Sequence, residues 1–96
     1  MTAEIKPGDM IQVWDSLTQE FAERIVDHGK LGYVVRSVNK GETVETHSGP
    51  LTVEHDEEKI FKCVLFDAKN DYRYQFVNEL WLRKINDSSD IRIVQR

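Results

Sequence analysis

The chain has one cysteine, Cys63, so no internal disulfide can form and packing alone must hold the fold. Two prolines and five glycines in 96 residues are too few for a fibrous or low-complexity chain. No apolar run approaches the ~20 residues that span a bilayer as a helix. The opening Met1-Thr2-Ala3-Glu4-Ile5-Lys6-Pro7 has no apolar stretch of the signal-peptide kind. Cytoplasmic residence is the expectation. Gly-rich phosphate loops, nucleophile elbows and paired-cysteine motifs are all missing from the sequence. No catalytic residue, cofactor, metal, membrane or small-molecule substrate is therefore expected.

What is present suits one globular domain over residues 1–96, with 40% hydrophobic and 31% charged residues. The formal net charge is −4, and its location is informative. Between Asn39 and Lys59, the acids Glu42, Glu45, Glu54, Asp56, Glu57 and Glu58 face only Lys40 and Lys59. Acids and bases balance in the rest of the chain, so a neutral domain carries one acidic insert at 41–59. Such a balance gives no global attraction to nucleic acid.

Lys6-Pro7-Gly8-Asp9 is turn chemistry and leads into Met10-Ile11-Gln12-Val13-Trp14, which reads as a strand. From Ser16 to Gly29, apolar residues at Leu17, Phe21, Ala22, Ile25 and Val26 fall on a helical stripe. Ser16 and Gln19 have capping-box spacing, so 16–29 reads as a short helix, with an extended loop as the alternative. Leu31–Val38 reads as the second strand.

In the 41–59 insert, Thr43–Thr46 and Leu51–Glu54 alternate around His47-Ser48-Gly49-Pro50. This suits a protruding hairpin or, given the low apolar content, a disordered loop. Ile60–Phe66 is apolar on both alternating sets, as expected of a central strand covered on both sides. Tyr72–Phe76 is a further strand, Val77–Leu80 suits a 3₁₀ turn, and Trp81–Ile85 and Ile91–Gln95 suit two last strands. The pattern predicts a mainly β protein: a small five- to six-stranded barrel with insertions at 16–29 and 41–59.

The order of Lys6-Pro7-Gly8-Asp9 with Ile11–Trp14, of Leu31–Val35, and of Val64–Asp67 through Tyr72, Tyr74 and Phe76 to Leu80-Trp81-Leu82 resembles the Src-homology-3-like small barrels, including their Tudor and KOW groups. It also resembles small proteins that tailed bacteriophages encode. The resemblance covers about two-thirds of the chain, leaves out 16–29 and the acidic insert, and bears on fold more than on function. It implies a virion component or a modulator of a host protein. It further implies an aromatic cage for methylated Lys or Arg built from Trp14, Tyr33, Phe66 and Tyr72, with Asp67 and Asn70 nearby. The competing reading places these rings, with Tyr74 and Phe76, in the core.

Three more sets of residues stand out. Glu54, Asp56, Glu57 and Glu58 form a solvated acidic tract suited to docking a basic partner, or to protecting a sheet edge. Arg36, Lys62, Arg73, Arg83, Lys84 and Arg92 lie on strand segments, and Arg36, Arg73 and Arg83 are the candidates for a nucleic-acid face. His28, His47 and His55 match no closed zinc spacing. Cys63, between Phe61 and Val64, reads as a buried, inert thiol. The functional expectation is a non-enzymatic module that binds a protein partner or itself, with a nucleic-acid-binding barrel as the alternative and a methyl-Lys/Arg reader as a weaker one.

Overall fold

The structure, a computed structural model, describes residues 4–14, 27–46, 49–67 and 71–92. Among them seven strands form a single mixed sheet: β1 Met10–Val13, β2 Leu31–Ser37, β3 Thr43–Thr46, β4 Gly49–Thr52, β5 Ile60–Phe66, β6 Tyr72–Asn78 and β7 Leu82–Lys84. Their order across the sheet is β4-β3-β6-β5-β2-β1-β7. The expected main-β class holds. The strand count exceeds the expected five or six because the acidic insert folds as the β3–β4 hairpin. The sheet ends at β4 and β7, which no pairing joins among the described residues, so it is open where a barrel would be closed.

All strand pairs are antiparallel except β3 with β6, which meet at a single parallel bridge, Thr46 with Phe76. Residues 15–26, where most of the expected helix would fall, lie outside the described residues. Asp27, His28 and Gly29 form a turn that enters β2.

Side-chain alternation puts two different surfaces on the central strands. On one face Ile11 and Val13 of β1, Val34 of β2, Cys63 and Leu65 of β5 and Val77 of β6 are buried together and form the main core. The opposite face is divided. At its β5 start, Val38, Val44, Val53 and Ile60 form a second small core, with Phe76 packed against it. The β3–β4 hairpin supplies this cover. Gly41, at φ +87°, makes the turn into it, and the Thr43 and Thr52 hydroxyls meet across it at 2.6 Å.

The hairpin has only four residues per strand, so it covers one half of the face and leaves the other half open. Double coverage of β5, expected from its sequence, therefore applies at Ile60 and ends before Phe66. Tyr72, Tyr74 and Phe76 do share one strand face, as the sequence suggested. Only Phe76 reaches a core; Tyr72 and Tyr74 are exposed, which corrects the reading of the three as core residues.

The chain after β7 does not extend the sheet as far as it is described. Ser88–Asp90 is a 3₁₀ turn with a capping box: the Asp87 carboxylate accepts from Ser89 N–H, and the Asp90 carboxylate accepts from Asp87 N–H. Ile91 and Arg92 are not in a strand, and 93–95 lie outside the described residues. The Gln12 side chain takes a strand's place there. Its buried amide donates to the carbonyls of Arg92 (2.7 Å) and Gly29 (3.1 Å) and accepts from Arg92 N–H (2.8 Å). The expected 3₁₀ turn after β6 forms at Glu79–Trp81, capped by Asn78 Oδ1 accepting from Leu80 N–H.

Surface carboxylates add a pH dependence whose sign follows from their partners. The Arg36 guanidinium grips Glu42 with two bonds, at 2.7 and 3.1 Å, and holds its carboxyl below the usual range. Asp9 is lowered by the Lys6 backbone N–H, and Asp87 by the Ser89 backbone N–H. A depressed carboxylate stabilises the fold above its unfolded-state pKa, and this contribution disappears as pH falls through its folded-state pKa. The urea midpoint should therefore hold steady from pH 7 to about pH 5 and decline below about pH 4. Glu42→Gln should remove part of that decline. A midpoint that rose on acidification would contradict these pairings.

Candidate binding face

The open half-face is built by register. Tyr33 of β2 pairs with Val64 of β5, which pairs with Tyr74 of β6, so these three stand in one row. Phe66 and Tyr72 pair in the next row toward the β5–β6 turn. Arg36, Lys62 and Phe76 make the row on the other side, against the second core. Strands sit ~4.8 Å apart and same-face residues ~7 Å apart along a strand, so the rings form a continuous surface.

Tyr33, Phe66, Tyr72 and Tyr74 expose 42%, 44%, 63% and 55% of their surface, too much for core side chains. They nonetheless order one another. Tyr33 and Phe66 meet edge to face at 5.8 Å, as do Tyr72 and Tyr74 at 6.0 Å. The Lys62 ammonium lies 4.7 Å from the Tyr74 ring centroid, and the Arg36 guanidinium 5.8 Å from that of Phe76.

Three members of the expected aromatic cage, Tyr33, Phe66 and Tyr72, therefore share this surface. Trp14 does not join them in ring contact among the described residues. Its ring meets that of His28 in a tilted contact, centroids 4.4 Å apart, with the Arg92 guanidinium 5.6 Å from its centroid. Asp67, expected near the cage, ion-pairs with Lys30, and Asn70 lies outside the described residues.

The three arginines singled out for nucleic acid are not gathered on one patch. Arg36 is held by Glu42 at the covered end of the face. Arg73, pointing the other way beside Leu65, donates to the carboxylate of Asp27. Arg83, on β7 at the far edge of the sheet, reaches the Asp90 carbonyl at 3.4 Å.

Glu54, Asp56, Glu57 and Glu58 are all exposed and lie in one tight loop between β4 and β5. Glu58 N–H donates to the His55 carbonyl, and Glu54 N–H donates to the Glu58 carboxylate, both at 3.1 Å. This loop precedes Ile60, whereas Phe66 ends the same strand, ~20 Å away along β5. The acidic tract and the aromatic rings are thus at opposite ends of the central strand.

His55 is exposed in the acidic loop and His47 lies outside the described residues. Among the described residues no three His, Cys, Asp or Glu side chains are grouped to hold a metal ion. Burial pushes the Cys63 thiol up to about 12, far above the range in which a thiolate attacks at neutral pH.

Sequence reasoning missed one cluster. Asp27, fully buried, accepts from Arg73 and pairs with Lys30 at 3.2 Å, while Lys30 also reaches Asp67. It ties the turn before β2 to the far ends of β5 and β6, beneath the open rings. The carboxylate and the guanidinium stand 46 positions apart, so no local pattern marked them. No helix of the described residues is long and apolar enough to cross a membrane. No protein-family model matches the chain, and comparison with the curated proteins and with the solved structures found no match.

Proposed function

We propose that this protein is a non-enzymatic interaction module that engages a macromolecular partner through the open half-face of β2, β5 and β6. One observation carries the reading: four aromatic rings stand exposed together on rigid strands, at the part of the face the hairpin leaves bare. Exposed apolar patches of this kind mark contact surfaces, and tyrosine contributes much of the energy in them. The rings are held by their neighbours, so little side-chain freedom is lost on binding. A small SH3-like fold acting as a virion component or a modulator of a host protein, the roles the family resemblance implies, would be of this kind. The acidic loop at Glu54–Glu58 is then a separate element that selects for or against charge.

Affinity capture with the tagged protein tests this, with and without nuclease, using the wild type, a Tyr72→Ser/Tyr74→Ser variant, and a variant with Glu54, Asp56, Glu57 and Glu58 neutralised. Recovery of the partner should fall about tenfold or more in the ring variant, as for the loss of a tyrosine hot spot. Full recovery by the ring variant, with loss in the neutralised one, would move the contact surface to the acidic loop.

A further inference from the structure

The strands that carry the rings hold no acidic residue of their own. The chain holds 17 acidic residues, yet β2, β5 and β6 contain none; Arg36 and Lys62 stand on the ring side, while Arg73 points to the other side and is paired with Asp27. Lys62 sits on the ring surface itself, half-buried against Tyr74 and without an acidic partner among the described residues. Arg36 stands one strand over in the same row and is already matched by Glu42. At the other rim Asp67 is paired with Lys30, and exposed Asp71 lies in the loop before β6. The acidic loop is held at the far end of β5. A face with exposed rings paired edge to face and no carboxylate on its strands suits a ligand that is both planar and anionic.

We infer that the occupant of this half-face is single-stranded nucleic acid, its bases stacked on one ring of each edge-to-face pair, Tyr33–Phe66 and Tyr72–Tyr74, and its backbone met by Lys62. The inference rests on the reading of that face as the contact surface and names what it contacts. Every base offers a π-face, so stacking tolerates sequence. A duplex keeps its bases stacked internally and cannot present them to the rings. Lys62 is the unmatched cation on the face, with Arg36 available only in exchange for Glu42, so the complex neutralises one or two phosphates. Its salt dependence is therefore shallow, with a log–log slope of about −0.7 to −1.4. Phosphate-driven binding through scattered arginines would give a much steeper slope.

Fluorescence anisotropy of the full chain with labelled dT12, U12 and a 12-base-pair duplex, at 50, 150 and 300 mM salt, tests the inference. Both single strands should bind, the duplex at least about tenfold more weakly, and the slope should stay within the stated range. Tyr72→Ser/Tyr74→Ser should weaken binding about tenfold or more, Tyr74→Phe should leave it nearly unchanged, and Lys62→Gln should weaken it a few-fold. The rings are exposed, so these variants should keep the wild-type urea midpoint. If Tyr72→Ser/Tyr74→Ser does not fold, the Tyr74→Phe and Lys62→Gln results decide. Equal binding of duplex and single strand, a slope of about −3 or steeper, or no response to Lys62→Gln would overturn the inference. No binding to any oligonucleotide would also overturn it. Ring-dependent, nuclease-resistant capture would then leave the contact face standing with a protein as its occupant.

Discussion

Replacing Gly32 by alanine should lower the melting temperature by about 15 °C, corresponding to roughly 3 kcal/mol for a domain of this size. Gly32 is buried in β2, between Ile11 of β1 and Leu65 of β5. A Cβ there would stand 2.0 Å from the Val64 carbonyl oxygen and 3.0 Å from Leu65 Cδ2. The first of these is backbone in the centre of the sheet, so no rotamer change can make room. The β2 and β5 strands would have to separate, loosening the pair that carries both the main core and the ring surface.

Gly8 supplies the comparison. Its φ of +91° strains any side chain, but nothing lies within 4 Å of the point an added methyl would occupy, so Gly8→Ala should cost about 1–2 kcal/mol. Thermal and urea denaturation of the two variants separate close approach from backbone strain. If Gly32→Ala melts no lower than Gly8→Ala, the tight β2–β5 contact is not what holds the sheet.

Asp27→Ala should be nearly as damaging, at about 2–4 kcal/mol. The carboxylate is fully buried and faces two cations, Arg73 and Lys30. Removing it leaves these cations near each other without their shared counter-charge. The cost stays below that of a wholly buried pair because Arg73 and Lys30 side chains are 39% and 28% exposed and can turn toward water. Lys30 also keeps Asp67. The loss should not add to that of Arg73→Ala, since both variants break one network; the double variant should cost little more than Asp27→Ala alone. Additive losses in a double-mutant cycle would show that the two residues act separately. Asp27→Ala should also weaken any binding at the ring surface, because the network anchors the ends of β5 and β6 that carry Phe66 and Tyr72.

Much of this fold is legible in the chain because strands announce themselves locally. Alternation in Leu31–Val38, Thr43–Thr46 and Tyr72–Phe76, with glycine and asparagine between them, is a consequence of side chains pointing to opposite faces at every second residue. The buried thiol of Cys63 follows from its apolar neighbours for the same reason. The acidic insert was visible as composition, and its hairpin as one of two readings.

What the chain alone could not decide is which face of β6 is inside. Tyr-Arg-Tyr-Gln-Phe has rings on one face and long polar side chains on the other, and either could have been the core side. The choice depends on how far the β3–β4 hairpin reaches, because it covers Phe76 and stops short of Tyr74. The same holds for Arg73, whose partner Asp27 comes from a distant turn, and for Arg36, captured by Glu42 across the β2–β3 connection.

A mainly β chain with a central strand at Ile60–Phe66, an inert cysteine and an acidic insert can be read without coordinates, because period, neighbours and composition set those properties. The open sheet, the dispersed arginines, two of them matched by Glu42 and Asp27, and the four solvent-facing rings come from folding in three dimensions. They depend on pairing between residues far apart in the chain, and on which element covers which half of a face.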